Sequence, residues 1–447
     1  MGDSPEPSRP SRRHSMPYRS AHRARSHESA HAEHSAAQAE AQIDHPLVPK
    51  GAPVVIKEAA QLGELVGRLR AAGRFGYDSE FIGELTYVPR LCLIQVALPE
   101  QITLIDPLSG IDLRPFWELI ADEAIEKIVH AGLQDLEPVV RELGRAPANV
   151  FDTQIAAGFV RLPYPLSLSK LVLEMTGVKL GKGLTFTHWD QRPLSAMQLR
   201  YAADDVRYLL LAHEEIGRRL EASGRAGWAA AECARQCDPK LFEFDPRQQY
   251  LRVRGAGALA PRNLAVLREL TIWRDGAARM ANVPPRAFLK DEVLLELARS
   301  PVRSVEKLAR VRGLPRPVES QYGGQLVQIT EKALSLPEAE LPAARDPEQT
   351  PPEKFRTDAL WAAAQALCAG QGIDVAVATS RQEINEFYQY LTGGNEAPDV
   401  HRLLSDWRRE ALGEALRQLV DGRGRLHLDW EDGGLRASFQ ARRLSGP

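Results

Sequence analysis

Gly76-Tyr77-Asp78-Ser79-Glu80-Phe81 closes an apolar run with two carboxylates two positions apart. On a strand that spacing aims both side chains at one face. Like charges held side by side repel, so such a pair is either separated by solvent or shared by a cation, and hard divalent ions such as Mg²⁺ favour oxygen sites of this kind. Asp-x-Glu is also common as a plain polar strand end, so its meaning rests on what accompanies it along the chain.

Working outward, the flanking residues have the texture of a mixed α/β domain. A short strand is expected at Val54-Val55-Ile56, a helix from Ala59 to Leu69, and then the strand ending at Asp78. Leu91 to Ala97 and Ile102 to Ile105, separated by Pro99-Glu100, read as an antiparallel hairpin. Ile125 to Val129 reads as a further strand, running into His130-Ala131-Gly132 and a helix with Asp135 on its first turn. Helices are expected from Thr153 to Val160, Leu168 to Met175 and Ser195 to about Leu220. The last sets Tyr201 and Asp205 one turn apart on one face, while Ala202 and Ala203 let a neighbouring backbone or a substrate approach. An aromatic anchor beside a surface charge is the plain alternative for that pair.

The 447 residues exceed one ordinary core and indicate about two to four domains. No apolar run approaches the roughly 20 residues of a membrane span, and the N-terminus lacks the apolar core of a secretory signal, so a cytosolic protein is expected. Cys92, Cys233, Cys237 and Cys368 are too few for a disulfide framework, and Cys233-x-x-x-Cys237 has no second pair to complete a zinc site. With a net charge of −2, a nucleic-acid partner has to be met by local basic patches. Residues 1–48 are rich in Ser, Arg, His, Ala and Pro and are expected to form a disordered tail. Its histidines (His14, His22, His27, His31, His34 and His45) are scattered without ligand geometry. Its arginines suit weak phosphate contact or a transit peptide, against which Asp3, Glu6, Glu28 and Glu33 count.

Three segments taken together resemble the ribonuclease D family, in the tyrosine branch of the DEDD superfamily of 3′-to-5′ exonucleases. They are Asp78-Ser79-Glu80-Phe81, His130-Ala131-Gly132-Leu133-Gln134-Asp135-Leu136, and Tyr201 through Tyr208. The connecting text matches too: Thr86 to Gln95, Phe151 to Ala157, and Trp189-Asp190-Gln191-Arg192-Pro193-Leu194-Ser195. The resemblance spans about residues 53 to 220 and implies a ribonuclease H-like mixed-sheet α/β core. Ser79 stands where the family usually has Thr, at a position whose side chain is expected to face away from the metals.

The resemblance also implies roles and a cofactor. Asp78 would bridge two divalent metal ions, Mg²⁺ or Mn²⁺; Glu80 and Asp205 would complete the first site, and Asp135 would hold the second largely through water. Such a pair, roughly 3.5 to 4 Å apart, activates a water and stabilises the leaving oxygen. Tyr201 would position the attacking water. His130 lies five residues before Asp135, the spacing of the superfamily's histidine branch, but Tyr201 four residues before Asp205 fits the tyrosine branch, so His130 is expected to be structural. His188 beside Trp189 is a weaker candidate for touching substrate.

Beyond a linker from about Asp238 to Arg262, helices are expected at Asn263 to Arg279, Lys290 to Ala298, Ser304 to Ala309 and Gln321 to Leu334. Leu270-Thr271-Ile272-Trp273-Arg274, Val283-Pro284-Pro285-Arg286 and Lys290-Asp291-Glu292 resemble the HRDC domain that RecQ-type helicases share with ribonuclease D. Arg274, Arg279, Arg286, Lys290, Arg303, Lys307, Arg310, Arg312 and Arg316 would suit a phosphate-tracking face or an ordinary solvated one. A second linker, Pro342 to Lys354, leads to another helical unit that resembles a second HRDC-like domain. Leu426, Leu428, Trp430 and Leu435, Ala437, Phe439 around Asp432-Gly433-Gly434 read as a β-hairpin. The expected organisation is a tail at 1–48, an exonuclease domain at 49–235, two all-α HRDC-like domains at 262–340 and 355–421, and a hairpin at 424–443. The expected substrate is RNA with a single-stranded 3′ end, a tRNA precursor most plausibly, processed by a monomer without a membrane. A DNA exonuclease and a catalytically silent RNA-binding protein are the alternatives, the second disfavoured because all four carboxylates are present.

Overall fold

The computed structural model describes residues 43–181, 188–342, 349–393, 400–431 and 434–441. The expected tail up to residue 42 lies outside the described residues. Its supposed last residues do not behave as tail, however: Val48 is buried against Val172 and Tyr208, and Leu47 packs under the sheet. The Arg207 guanidinium also donates to the carbonyls of Pro49 and Gly51. Composition set the boundary too late because two apolar residues suffice to dock a chain end.

Six strands form one mixed sheet in the order β1-β4-β3-β2-β5-β6. They are β1 (Val54–Ile56), β2 (Arg74–Ile82), β3 (Arg90–Leu98), β4 (Gln101–Ile105), β5 (Glu126–Val129) and β6 (Val150–Asp152). β3 runs antiparallel to both its neighbours, whereas β1 with β4, and β2 with β5 and β6, are parallel. The carboxylate strand β2 is therefore interior. It extends past Asp78 to Ile82, since pairing with β3 continues through Glu80 to a bulge between Glu80 and Phe81. Alternation along β2 sends Phe75 and Tyr77 to one face, where they meet Phe116 of the helix Arg114–Ile120. Gly76 lies on the other face, where a Cβ would stand 3.2 Å from the Leu209 Cβ, so a side chain here would press on the helix Leu209–Ala222.

The single helix expected from Ser195 to about Leu220 is two, Ala196–Arg207 and Leu209–Ala222, parted at Tyr208. The buried Tyr208 ring packs at the break beside Val48 and Val172. β6 and the helices Arg114–Ile120 and Ala226–Ala234 carry too little periodicity to be read from sequence.

The HRDC-like unit is built on the helices Pro261–Ala281, Asp291–Arg299 and Arg316–Leu334. Tyr250, Val253 and Ala256, assigned to a linker by composition, are part of its apolar core. The next helical unit includes the helices Pro351–Gln371, Arg381–Thr392 and Glu414–Val420. Among the described residues it has no separate core. Ile155, Phe159 and Val160 of the nuclease region and Leu360, Leu367, Phe387 and Leu412 of this unit form one buried cluster. Glu232 of the nuclease region also pairs with Arg408 at 2.7 Å, and Trp228 stacks on Trp407 with ring centroids 5.8 Å apart. β7 (Gly424–Glu431) and β8 (Gly434–Ala441) make the terminal hairpin. Leu426 and Phe439 join the same cluster, and Gly370 leaves room for Ala437, which a Cβ there would approach to 3.2 Å. Among the described residues no helix is long and apolar enough to cross a membrane.

Candidate metal centre

Asp78 and Glu80 project from one face of β2, and Asp205 descends on them from the helix Ala196–Arg207. Each of the three offers a carboxylate oxygen within 4.8 Å of the others. The helix is placed by its start. Ser195 and Gln198 form a reciprocal capping box, Ser195 N–H donating to Gln198 Oε1 at 2.9 Å and Gln198 N–H to Ser195 Oγ at 3.2 Å. Just upstream, Arg192 forks onto both carboxylate oxygens of Asp106 at 2.7 Å and donates to the Cys92 carbonyl, tying the helix entry to β3 and to the end of β4. Ala202 and Ala203, both fully buried, allow the close approach to the sheet. Tyr201 and Asp205 share the inward face, the Tyr201 ring lying 6.2 Å from that of Trp189.

Asp135 comes from the first turn of the helix Leu133–Leu143, which β5 delivers to the same end of the sheet. It is buried and stands outside the group of three. The Ser79 hydroxyl donates to Asp135 Oδ1, and the Tyr77 hydroxyl donates to the Asp135 carbonyl at 2.6 Å. The Ser79 side chain leaves the face of Asp78 and Glu80, as alternation demands, and meets the fourth carboxylate, Asp135, on the other side. The turn before that helix is tight. Ala131 has φ 59°, and a Cβ on Gly132 would fall 2.6 Å from the Val129 Cβ. The buried Asp152 carboxylate accepts from both Ala131 N–H and Gly132 N–H, at 3.0 and 3.1 Å.

His130 has both ring nitrogens engaged, Nδ1 with Thr153 Oγ1 at 2.9 Å and Nε2 with the Leu166 carbonyl at 2.8 Å, so it braces the scaffold. His188 is exposed, and its carbonyl accepts from Gln198. The roles of Ser79, Tyr77 and Asp152 were not read from the sequence. The only signal for Ser79 was its place between the two carboxylates.

The electrostatics of the cluster suit a hard cation. Burial, and then the charges of Asp135, Asp205 and Glu80, push the Asp78 carboxyl well above its usual range. Burial followed by Asp205 and Asp135 raises Glu80 to about 8, and burial followed by Asp204 and Asp135 raises Asp205 to about 7. Asp135 is likewise raised to about 7 by burial, against the pull of the Ser79 hydrogen bond. On its own the group holds protons at neutral pH. An all-oxygen donor set of this density relieves its repulsion by binding a divalent ion in place of those protons.

Comparison with known proteins agrees with this geometry. Residues 53–221 match the 3'-5' exonuclease family, and residues 263–330 match the HRDC domain. The chain is 35% identical over 380 residues to ribonuclease D of Gluconacetobacter diazotrophicus, covering 84% of this chain and 95% of that protein. Against ribonuclease D of Pseudomonas paraeruginosa it is 35% identical over 370 residues, covering 82% and 97%. The crystal structure of Escherichia coli RNase D, described as an exoribonuclease involved in structured RNA processing, superposes with a TM-score of 0.74 at 31% identity, covering 83% of this chain and 99% of that one. A DEDD exonuclease fold implies divalent-metal use, and the structure holds a cluster of acidic residues, Asp78, Glu80 and Asp205. Sheet order, acidic cluster, HRDC unit and similarity over most of the chain converge: this chain belongs to the ribonuclease D family and is a hydrolytic 3′-5′ exoribonuclease.

Proposed function

We propose that the enzyme trims single-stranded 3′ ends of structured RNA, tRNA precursors in particular, using two divalent cations, Mg²⁺ or Mn²⁺. The observation that carries this reading is the convergence of Asp78, Glu80 and Asp205 within 4.8 Å, with Asp135 held beside them. Asp78 would be shared between the ions, Glu80 and Asp205 would complete the first site, and Asp135 would serve the second through water. When bound, the ions would supply activation of a water and stabilisation of the leaving 3′ oxygen. Burial, and then the charges of Asp205, Glu80 and Asp78, hold the Tyr201 hydroxyl protonated at working pH. Tyr201 would act as a hydrogen-bond donor that orients the attacking water.

The body of the RNA is gripped by the HRDC-like unit. Arg274 drops out of the expected basic face, because it is buried and paired with Asp291 at 2.6 Å. Arg286 also pairs with Asp291, and Arg279 lies over the Tyr87 ring. Arg303, Lys307, Arg310, Arg312 and Arg316 remain exposed along one stretch, with no ion pair among the described residues, and suit phosphate tracking. The test is digestion of matched RNA and DNA strands with free or blocked 3′ ends, with and without EDTA. The reading expects RNA shortened one nucleotide at a time from a free 3′ end, arrest by EDTA and recovery with Mg²⁺ or Mn²⁺. It fails if a blocked 3′ end is cut as readily, if DNA is preferred, or if Asp78→Asn keeps wild-type activity.

A further inference from the structure

We propose that Ser79 is a positioning residue: its hydroxyl occupies one oxygen of Asp135 and so sets that carboxylate apart from the group of Asp78, Glu80 and Asp205, leaving one oxygen to serve the second cation. This rests on the reading of Asp135 as a metal-site carboxylate.

Three observations support it. Ser79 and Asp135 are each only 8% exposed, so neither side chain has room to reorient toward solvent. The Ser79 hydroxyl reaches the carboxylate itself, at Oδ1, whereas the neighbouring Tyr77 hydroxyl reaches the main-chain carbonyl of the same residue at 2.6 Å. Tyr77 and Asp152 thus hold the start of the helix in place, and Ser79 alone of the three acts on the group that would do chemistry. Finally, Asp135 is absent from the set whose oxygens lie within 4.8 Å of one another, although it raises the carboxyls of Asp78, Glu80 and Asp205 by its charge. A hydrogen bond that holds Asp135 at that separation favours contact through water over direct ligation. One strand then performs two tasks, presenting Asp78 and Glu80 from one face and orienting the fourth carboxylate from the other.

The test compares full-length wild type with Ser79→Ala, Ser79→Thr and Ser79→Val. The last two are matched in volume and differ by the hydroxyl. Three quantities are read: kcat and KM on an RNA hairpin with a single-stranded 3′ tail, Mn²⁺ binding to the RNA-free protein followed by electron paramagnetic resonance, and the melting temperature. Loss of a residue that orients a ligand typically costs about 10–100-fold in metal affinity or activity. Ser79→Ala and Ser79→Val are expected to lose that much in kcat, with KM little changed and one class of Mn²⁺ site weakened while the other is kept. Ser79→Thr is expected to match wild type. The proposal is overturned if Ser79→Ala keeps wild-type kcat and both Mn²⁺ sites, or if Ser79→Thr and Ser79→Val are equally impaired, which would mark a packing requirement. Should Ser79→Ala fail to fold, the Thr and Val pair decides. Wild-type activity in Asp78→Asn would instead remove the metal reading beneath it, a result that the Ser79 variants do not produce.

Discussion

Replacing Arg408 with Met should loosen the second helical unit from the nuclease core. The Arg408 side chain is 1% exposed and satisfies three groups at once: the Glu232 carboxylate at 2.7 Å, the Ala378 carbonyl at 2.9 Å and the Val377 carbonyl at 3.1 Å. Its guanidinium also lies 4.3 Å from the centroid of the Trp407 ring. Methionine keeps much of the volume and removes the charge, leaving Glu232 with Arg402 at 3.7 Å and the Trp407 indole N–H at 3.3 Å. Breaking a buried pair by removing one partner costs about 3–5 kcal/mol, because the other charge stays behind. The two orphaned carbonyls belong to the same event, so their roughly 1 kcal/mol each is not simply added. Urea unfolding followed by tryptophan fluorescence reads the interface directly, since Trp228 and Trp407 stack within it. An exposed control is Arg381→Met, which removes a surface pair with Asp358. In a double-mutant cycle with Glu232→Gln, the pair of changes should cost less than the sum of the single ones. Burial raises the Glu232 carboxyl but Arg408 and Arg402 more than reverse it, so its folded pKa lies below the unfolded one. The pair's contribution is then present above the ordinary carboxylate range and is lost as pH falls through the depressed value, so the gap between wild type and Arg408→Met should close in acid. A loss no larger than that of Arg381→Met, or strict additivity in the cycle, would refute the reasoning.

Other consequences are as direct. Tyr201→Phe should lower kcat by about 10–100-fold with RNA affinity nearly unchanged, as expected for a lost water-orienting hydroxyl; His130→Ala should act on melting temperature first. The raised carboxyls of Glu80, Asp135 and Asp205 mean that the metal-free folded state holds protons that the unfolded chain has released, so metal-free stability should fall as pH rises from about 5 to 8. The melting-temperature gain on adding Mn²⁺ should grow over the same interval, and a gain independent of pH would contradict the assignment. Tyr87→Phe removes the 2.7 Å bond from Tyr87 to Asp275 in the helix Pro261–Ala281, and should speed hydrogen exchange in residues 83–89 without changing the metal requirement.

The nuclease core was legible because its chemistry is local. Asp-x-Glu on a strand and Tyr-x-x-x-Asp on a helix each fix two side chains on one face by period alone, so only the meeting of the two segments awaited the fold. What periodicity could not show was where elements stop. β2 runs past Asp78 because β3 lies beside it and keeps pairing, and the break at Tyr208 has its ring packed beside Val48 and Val172. Both are tertiary facts imposed on an unremarkable local sequence. The same holds for Tyr250, Val253 and Ala256, three apolar residues in a stretch of linker composition that is nonetheless core.

Domain independence was the least legible property, and the shared cluster turns it into a prediction. All four carboxylates and Tyr201 precede residue 210, so by sequence a fragment of residues 49–235 looks self-sufficient. In the fold, that fragment would lose the cover of Phe159, Val160, Leu162 and Ala156, now packed with Leu360, Ala364, Leu367 and Trp407. Re-exposing a fully buried large aliphatic or aromatic side chain costs about 1.5–3 kcal/mol, so even three or four approach the roughly 5–15 kcal/mol that keeps a domain folded. The fragment is therefore expected to aggregate or to bind a hydrophobic dye, and to regain folded behaviour when residues 349–441 are supplied on a second chain. Removing the whole HRDC unit, residues 249–340 with its Tyr250, Val253 and Ala256, with a linker in its place should leave the nuclease core folded and cost RNA affinity, most visibly as a shallower dependence of binding on salt. A monomeric, active 49–235 fragment would show that the cluster is contact without dependence.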